Sequence, residues 1–161
     1  MLKFILLGFS LYLSTLNVYA DTLIGKVVKI TDGDTVHVLD SSYTKHKIRL
    51  AGIDAPERRQ AFGKRSKQYL SSLVARKTVT EDWKKHDRYG RVVGKIIYDN
   101  QDINLAMVKA GLAWWYRKYA REQSLADQAI YERAEDIAKD KRHGLWANSG
   151  SIPPWEWRRK K

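Results

Sequence analysis

Three short runs rich in Val, Ile and Thr, residues 23–30, 35–39 and 46–50, predict strands, because branched side chains suit a pleated, half-buried surface. Asp32-Gly33 and Asp40-Ser41-Ser42 punctuate them as turns. The period then changes. Across residues 60–75, Phe62, Tyr69, Leu70, Leu73 and Val74 fall on one side of a helix and Lys64, Arg65 and Lys67 mostly on the other. Strand signals return at 77–81 and 92–98, followed by the turn Asp99-Asn100-Gln101-Asp102 and a short helix, 104–110, stopped by Gly111. A last helix spans 124–139, with Ser124 as its cap, Asp127 three residues on, and Leu125, Ala129, Ala134 and Ala138 toward the core. Five strands with a helix between the third and fourth suit a small closed barrel. No internal repeat is present.

The first twenty residues carry a different pattern. Lys3 precedes an apolar run over residues 4–13, and Val18-Tyr19-Ala20 places small residues where a signal peptidase cuts. Residues 1–20 are therefore expected to be a cleaved signal peptide, making the protein secreted or periplasmic. The run is shorter than the roughly 20 residues that span a bilayer, so an uncleaved anchor is the lesser reading and no stable membrane association is expected. About 140 residues remain, enough for one domain with its own core. With no cysteine in the chain, packing must supply the stability, and any metal must be held by oxygen or imidazole.

Charge narrows the class of partner. Thirty Lys and Arg against 18 Asp and Glu give a formal net charge of +12, which concentrates phosphate-bearing partners by long-range attraction. Against that background, Asp32, Asp34, Asp54 and Glu57 cluster at tight turns, an acidic site in a basic protein that suggests a metal held against a polyanion. Asp32 alone reads as a turn former. His37, His46, His86 and His143 lack the spacing of a helical two-histidine metal motif, and neither a glycine-rich phosphate loop nor a serine-hydrolase elbow occurs.

Three motifs recur in order: Ile30-Thr31-Asp32-Gly33-Asp34-Thr35-Val36, then Ile48-Arg49-Leu50-Ala51-Gly52-Ile53-Asp54-Ala55-Pro56-Glu57, then Asp87-Arg88-Tyr89-Gly90-Arg91. Together with the stretch from Ile103 to Ala113 they resemble the staphylococcal nuclease (thermonuclease) family, over roughly residues 22–146. The resemblance implies an α+β fold, a five-stranded oligonucleotide-binding (OB) β-barrel with three helices, in a domain at 21–147 followed by a basic C-terminal tail at 148–161. That tail is expected to be exposed.

The same resemblance implies a calcium-dependent nuclease acting on DNA and RNA, preferably single-stranded, as a monomer, and leaving 3′-phosphate ends. Asp34, Asp54 and the carbonyl of Ala55 match the calcium ligands. Calcium is a hard cation that takes 6–8 oxygens, so waters and a substrate phosphate would complete the sphere. Glu57 matches the catalytic glutamate, and Arg49 and Arg91 the catalytic arginines, whose forks can hold two phosphate oxygens at once. Arg88, Tyr89 and Tyr119 match substrate contacts. Arg117 stands where a second substrate-side tyrosine is expected, while Trp114, Trp115 and Tyr116 offer other aromatic faces, the two tryptophans more readily as packing. Strict strand alternation would send Arg49 and Asp54 to opposite faces unless Gly52 bends the chain. A non-catalytic nucleic-acid-binding OB module is the alternative, although it would not need Asp34, Arg49, Asp54, Glu57 and Arg91 together.

Overall fold

The computed structural model describes residues 21–160, so the expected leader, residues 1–20, lies outside the described residues. The first three strands form an antiparallel meander: β1 (Asp21–Ile30), β2 (Thr35–Asp40) and β3 (Lys45–Leu50). A two-residue strand, β4 (Ile53–Asp54), leaves the barrel and is followed by helix α1 (Gly63–Val74). The chain returns as β5 (Thr78–His86) and β6 (Val92–Tyr98). β1 pairs with β5 and β5 with β6, both antiparallel, and β6 closes the sheet by running parallel to β3 through Ile48–Val92, Arg49–Val93 and Leu50–Gly94. The result is the expected five-stranded mixed barrel of OB type.

Val36, Val38, Ile48, Leu50, Val79 and Ile96, all essentially solvent-free, fill the interior. Leu70 and Val74 seal it from α1, with Tyr69 and Leu73 partly buried beside them, as the helical spacing predicted. β5 runs five residues beyond its expected end at Glu81. Its outer part, Asp82 to His86, is largely polar and shows no apolar alternation; pairing with β6 alone makes it strand.

Past the barrel, the left-handed pair Asp99-Asn100 turns the chain into β7 (Gln101–Asp102), and Asp102 caps helix α2 (Ile103–Lys109) by accepting from Leu105 N at 2.9 Å. Strand β8 (Trp114–Trp115) pairs with β4, and Trp114 and Trp115 are both buried, as packing residues should be. Helix α3 (Leu125–Asp140) is capped by Ser124, whose Oγ accepts from Asp127 N at 3.0 Å. Its buried stripe is Tyr131, Ala134, Glu135 and Ala138. Leu125 and Ala129, expected on that face, are exposed. The helix packs chiefly on α2 rather than on the barrel, and Glu135 belongs to the inner stripe because it accepts from the Trp115 amide at 3.0 Å and pairs with Arg117 at 2.7 Å.

The C-terminal segment corrects the expectation of a solvated tail. Arg159 and Lys160 are exposed, but a four-residue turn of helix, α4 (Pro154–Trp157), lies against the domain with Pro154 buried and Trp155 and Trp157 half-buried. Aromatic and proline surface drives that docking, which a composition-based reading of a basic tail passes over. Among the described residues, no helix is long and apolar enough to cross a membrane.

Candidate active site

Two glycines set the site's backbone. Gly33 carries the turn between β1 and β2 so close to α1 and β4 that an added Cβ would collide with Ser66 and Ala55. Gly52, at φ 71°, reverses the chain after β3, a left-handed conformation that favours glycine. The second turn resolves the alternation conflict. Arg49 lies one residue from the end of β3 and Asp54 sits on β4, so Arg49 Nη2 donates to Asp54 Oδ1 at 3.0 Å and lies 3.2 Å from Asp34 Oδ2, while Nη1 donates to the Leu50 carbonyl at 2.7 Å.

One guanidinium thus bridges the two aspartates expected to hold metal. Asp34 also accepts from Ala55 N at 2.8 Å and from Thr35 Oγ1 at 2.9 Å, which ties β4 back to the β1–β2 turn and brings Asp34, Asp54 and Ala55 together. All three are buried. Burial pushes the Asp54 carboxyl above the usual carboxylate range, against the opposing pull of Arg158 and Arg49. Asp32 is pushed up to about 7, by burial first and by its neighbour Asp34 second. Asp32 is therefore part of the acidic cluster as well as a turn former whose Oδ1 accepts from the Asp34 amide at 3.1 Å.

The group opens into a cleft of about 930 Å³ whose walls include Glu57, Arg88, Tyr89, Arg91, Tyr116 and Tyr119. Glu57, half-exposed, follows Pro56 and is fixed from behind by Gln60 Oε1, which accepts from its amide at 3.0 Å. Arg91, just before β6, lines the same cleft. Its Nε and Nη2 both lie 2.7 Å from Asp87 Oδ2, an arrangement that aims the fork while committing only part of it. Asp87 also accepts from the amides of Tyr89 and Arg91, at 2.9 and 3.0 Å, and so organises the whole turn. Arg88 lies over the Tyr89 ring and donates to its hydroxyl at 2.7 Å; Tyr89 is 67% exposed and available at the rim.

Tyr119 reaches the cleft as expected, packed edge-on against Tyr116 with ring centroids 5.0 Å apart. Arg117 does not; its guanidinium turns to Glu135 and lies 4.4 Å from the Trp115 ring centroid. Tyr116 joins Tyr119 as the second tyrosine on that side of the cleft, one position before Arg117. Sequence reading missed a further participant: Arg158, whose Nη2 lies 2.7 Å from Asp54 Oδ2 and whose Nη1 lies 2.8 Å from Glu57 Oε1. The signal available was the aromatic and proline content of Pro153-Pro154-Trp155-Glu156-Trp157, which predicts docking rather than solvation.

The donor set suits a hard cation. It is all oxygen, and Asp34 and Asp54 converge on a single guanidinium nitrogen. Among the described residues, no group of three or more His, Cys, Asp and Glu side chains is placed to hold a metal ion. A second basic groove adjoins the cleft at Asp32, lined by Arg58, Arg59, Lys64, Arg65 and Lys67.

Residues 47–148 match the family model described as staphylococcal nuclease homologue. The chain is 46% identical to a Haemophilus influenzae protein described as an uncharacterized endonuclease, over 83% of this chain and 72% of that one. It is 40% identical to an Escherichia coli protein of the same description, across 85% of this chain and 86% of the other. A Shigella flexneri protein named micrococcal nuclease is 42% identical over 84% and 80% of the two chains. With a closed five-stranded barrel, an acidic cluster bridged by Arg49, and likeness spanning most of its length, the chain belongs to the staphylococcal nuclease family.

Proposed function

We propose that this protein is a calcium-dependent nuclease that hydrolyses phosphodiester bonds of DNA and RNA in the cleft. The carrying observation is that Arg49 joins Asp34 and Asp54 at the floor of a cleft that also presents Glu57 and Arg91. Asp34, Asp54 and the Ala55 carbonyl would hold the cation. When bound, a calcium ion there would polarise a phosphate oxygen and offset the charge gathered on it.

The protein's own groups supply the rest. Glu57, on a loop stiffened by Pro56, accepts the proton of the attacking water as it adds in line to phosphorus. Arg49 and Arg91 stabilise the charge that builds on the phosphoryl oxygens; Arg91 is aimed in advance by Asp87, while Arg49, paired here with Asp34 and Asp54, turns to the phosphate when a cation takes those carboxylates. Expulsion of the 5′ oxygen leaves a 3′ phosphate. Arg88 and Tyr89 at the rim contact a terminal phosphate, and Tyr116 and Tyr119 line the nucleotide's side. The groove at Arg58, Arg59 and Lys64 extends the positive surface along which the strand runs. An open cleft with exposed aromatic rims favours single strands, whose bases are free to stack. Export by the leader at residues 1–20 and action as a monomer complete the reading.

The test is degradation of single-stranded DNA by the purified protein in calcium and in chelator, with Glu57→Gln and Arg91→Ala alongside. General-base assistance contributes about 10²–10⁴ in rate, so Glu57→Gln should lower turnover by that factor while binding persists. Binding without cleavage in the wild type would sink the reading in favour of a non-catalytic binding module.

A further inference from the structure

Residues 149–160 lie beyond the family match, yet Trp155, Arg158 and Arg159 among them line the cleft. Several anchors seat them. Gln60 donates from Nε2 to the Ile152 carbonyl, and Pro154 is buried. Trp155 stacks on Tyr116 with centroids 4.9 Å apart and planes within 3° of parallel, and meets Trp114 edge-on at 6.4 Å. The chain then delivers Arg158, whose guanidinium contacts both oxygens of Asp54, at 2.7 and 3.3 Å, and Glu57 at 2.8 Å. The segment therefore places one positive charge on the carboxylates proposed to face a metal ion and an attacking water.

We propose that Arg158 is a tethered counter-cation of this site: it occupies Asp54 and Glu57 until a divalent cation binds, and cation binding displaces it and lifts residues 152–160 off the cleft. The inference rests on the metal-site reading above and adds a regulation to it. Two cations drawn to the same carboxylate repel each other at short range, and partial burial screens them less than water would. Arg158 therefore competes with the metal through a fixed, intramolecular concentration. Release of Arg158 frees Glu57 from its ion pair, and lifting Trp155 uncovers the Tyr116 face on which a substrate base can stack. Metal entry and substrate access are thereby coupled. The coupling is reciprocal: the docked segment weakens metal binding by the same factor as metal weakens docking.

The test titrates calcium calorimetrically into the full chain without nucleic acid, comparing wild type, Arg158→Ala, Arg158→Lys and Asp54→Asn. Hydrogen–deuterium exchange of residues 152–160 is followed with and without calcium. Arg158→Ala should bind calcium about fivefold or more tightly than wild type, the low end of ordinary coupling, with Arg158→Lys between the two. Exchange in the wild-type segment should rise on saturation. Equal or weaker calcium binding by Arg158→Ala, or exchange unchanged or slowed by calcium, overturns the proposal. Asp54→Asn separates the two layers. If it binds calcium as wild type does, the metal-site reading itself fails and the proposal with it; if it loses binding while Arg158→Ala is unchanged, only the counter-cation role fails.

Discussion

Glu81 inside the barrel and Asp54 at the cleft floor, 0% and 1% exposed, are two of the three carboxylates withdrawn almost completely from water among the described residues, yet their surroundings differ. Glu81 has no hydrogen-bond partner for either oxygen; burial, and then the nearby charge of Asp82, push it up to about 8. Asp54 is also pushed up by burial, but Arg158 and Arg49 pull against the shift and hydrogen-bond its oxygens. Burial alone makes an acid that keeps its proton. Burial with guanidinium partners makes a carboxylate oriented for use. The comparison explains why the cleft, rather than the barrel's own buried acid, is the site proposed for the chemistry.

The largest expected effect separates them by function. Asp54→Asn should lower turnover by about a hundredfold or more, beyond what loss of a group merely supporting a metal ligand costs, whereas Glu81→Gln should leave turnover near wild type. Steady-state assays of both variants in saturating calcium check this, and a Glu81→Gln enzyme as impaired as Asp54→Asn would erase the distinction.

Next in size is a stability effect. Glu81 titrates near 4.5 when unfolded and near 8 when folded. Below the lower value the carboxyl is neutral in both states and its contribution to stability is intact. As pH rises from about 4.5 to about 8 only the unfolded chain ionises, so stability falls, and above that window the loss is complete. The decline should be on the order of a few kcal/mol. Asp32, pushed up to about 7, declines across part of the same window, so the difference between wild type and Glu81→Gln isolates the Glu81 share. Denaturant midpoints at several pH values measure it; parallel profiles for the two proteins would refute the assignment.

The smallest effect concerns cause. Asp82→Asn removes the like charge but not the burial, so the decline should end at a slightly lower pH with most of its amplitude retained. Disappearance of the decline in Asp82→Asn would show that charge repulsion, not desolvation, dominates at Glu81.

Much of this was legible in the chain. The barrel strands follow from branched residues whose preference is local, and α1 from a 3.6-residue apolar period. Asp34, Arg49, Asp54, Ala55, Glu57 and Arg91 all line the cleft, because their motifs lie at turns whose geometry is set within a few residues. What misled was longer in range. The inward face of α3 was shifted because Glu135, polar in the sequence, is needed by Trp115 N and Arg117. Tyr116 rather than residue 117 enters the cleft because Arg117 is drawn to that same glutamate.

The sequence by itself determined the strand and helix succession, the basic surface and the acidic motifs, since each depends on neighbours close along the chain. Tertiary structure alone decided that Gly52 swings Asp54 back to Arg49, that Glu81 has no partner, and that Arg158 returns to Asp54 across more than a hundred residues. Those outcomes depend on which distant surfaces meet once apolar area is buried, and a guanidinium pairs with whichever carboxylate the packing brings within reach.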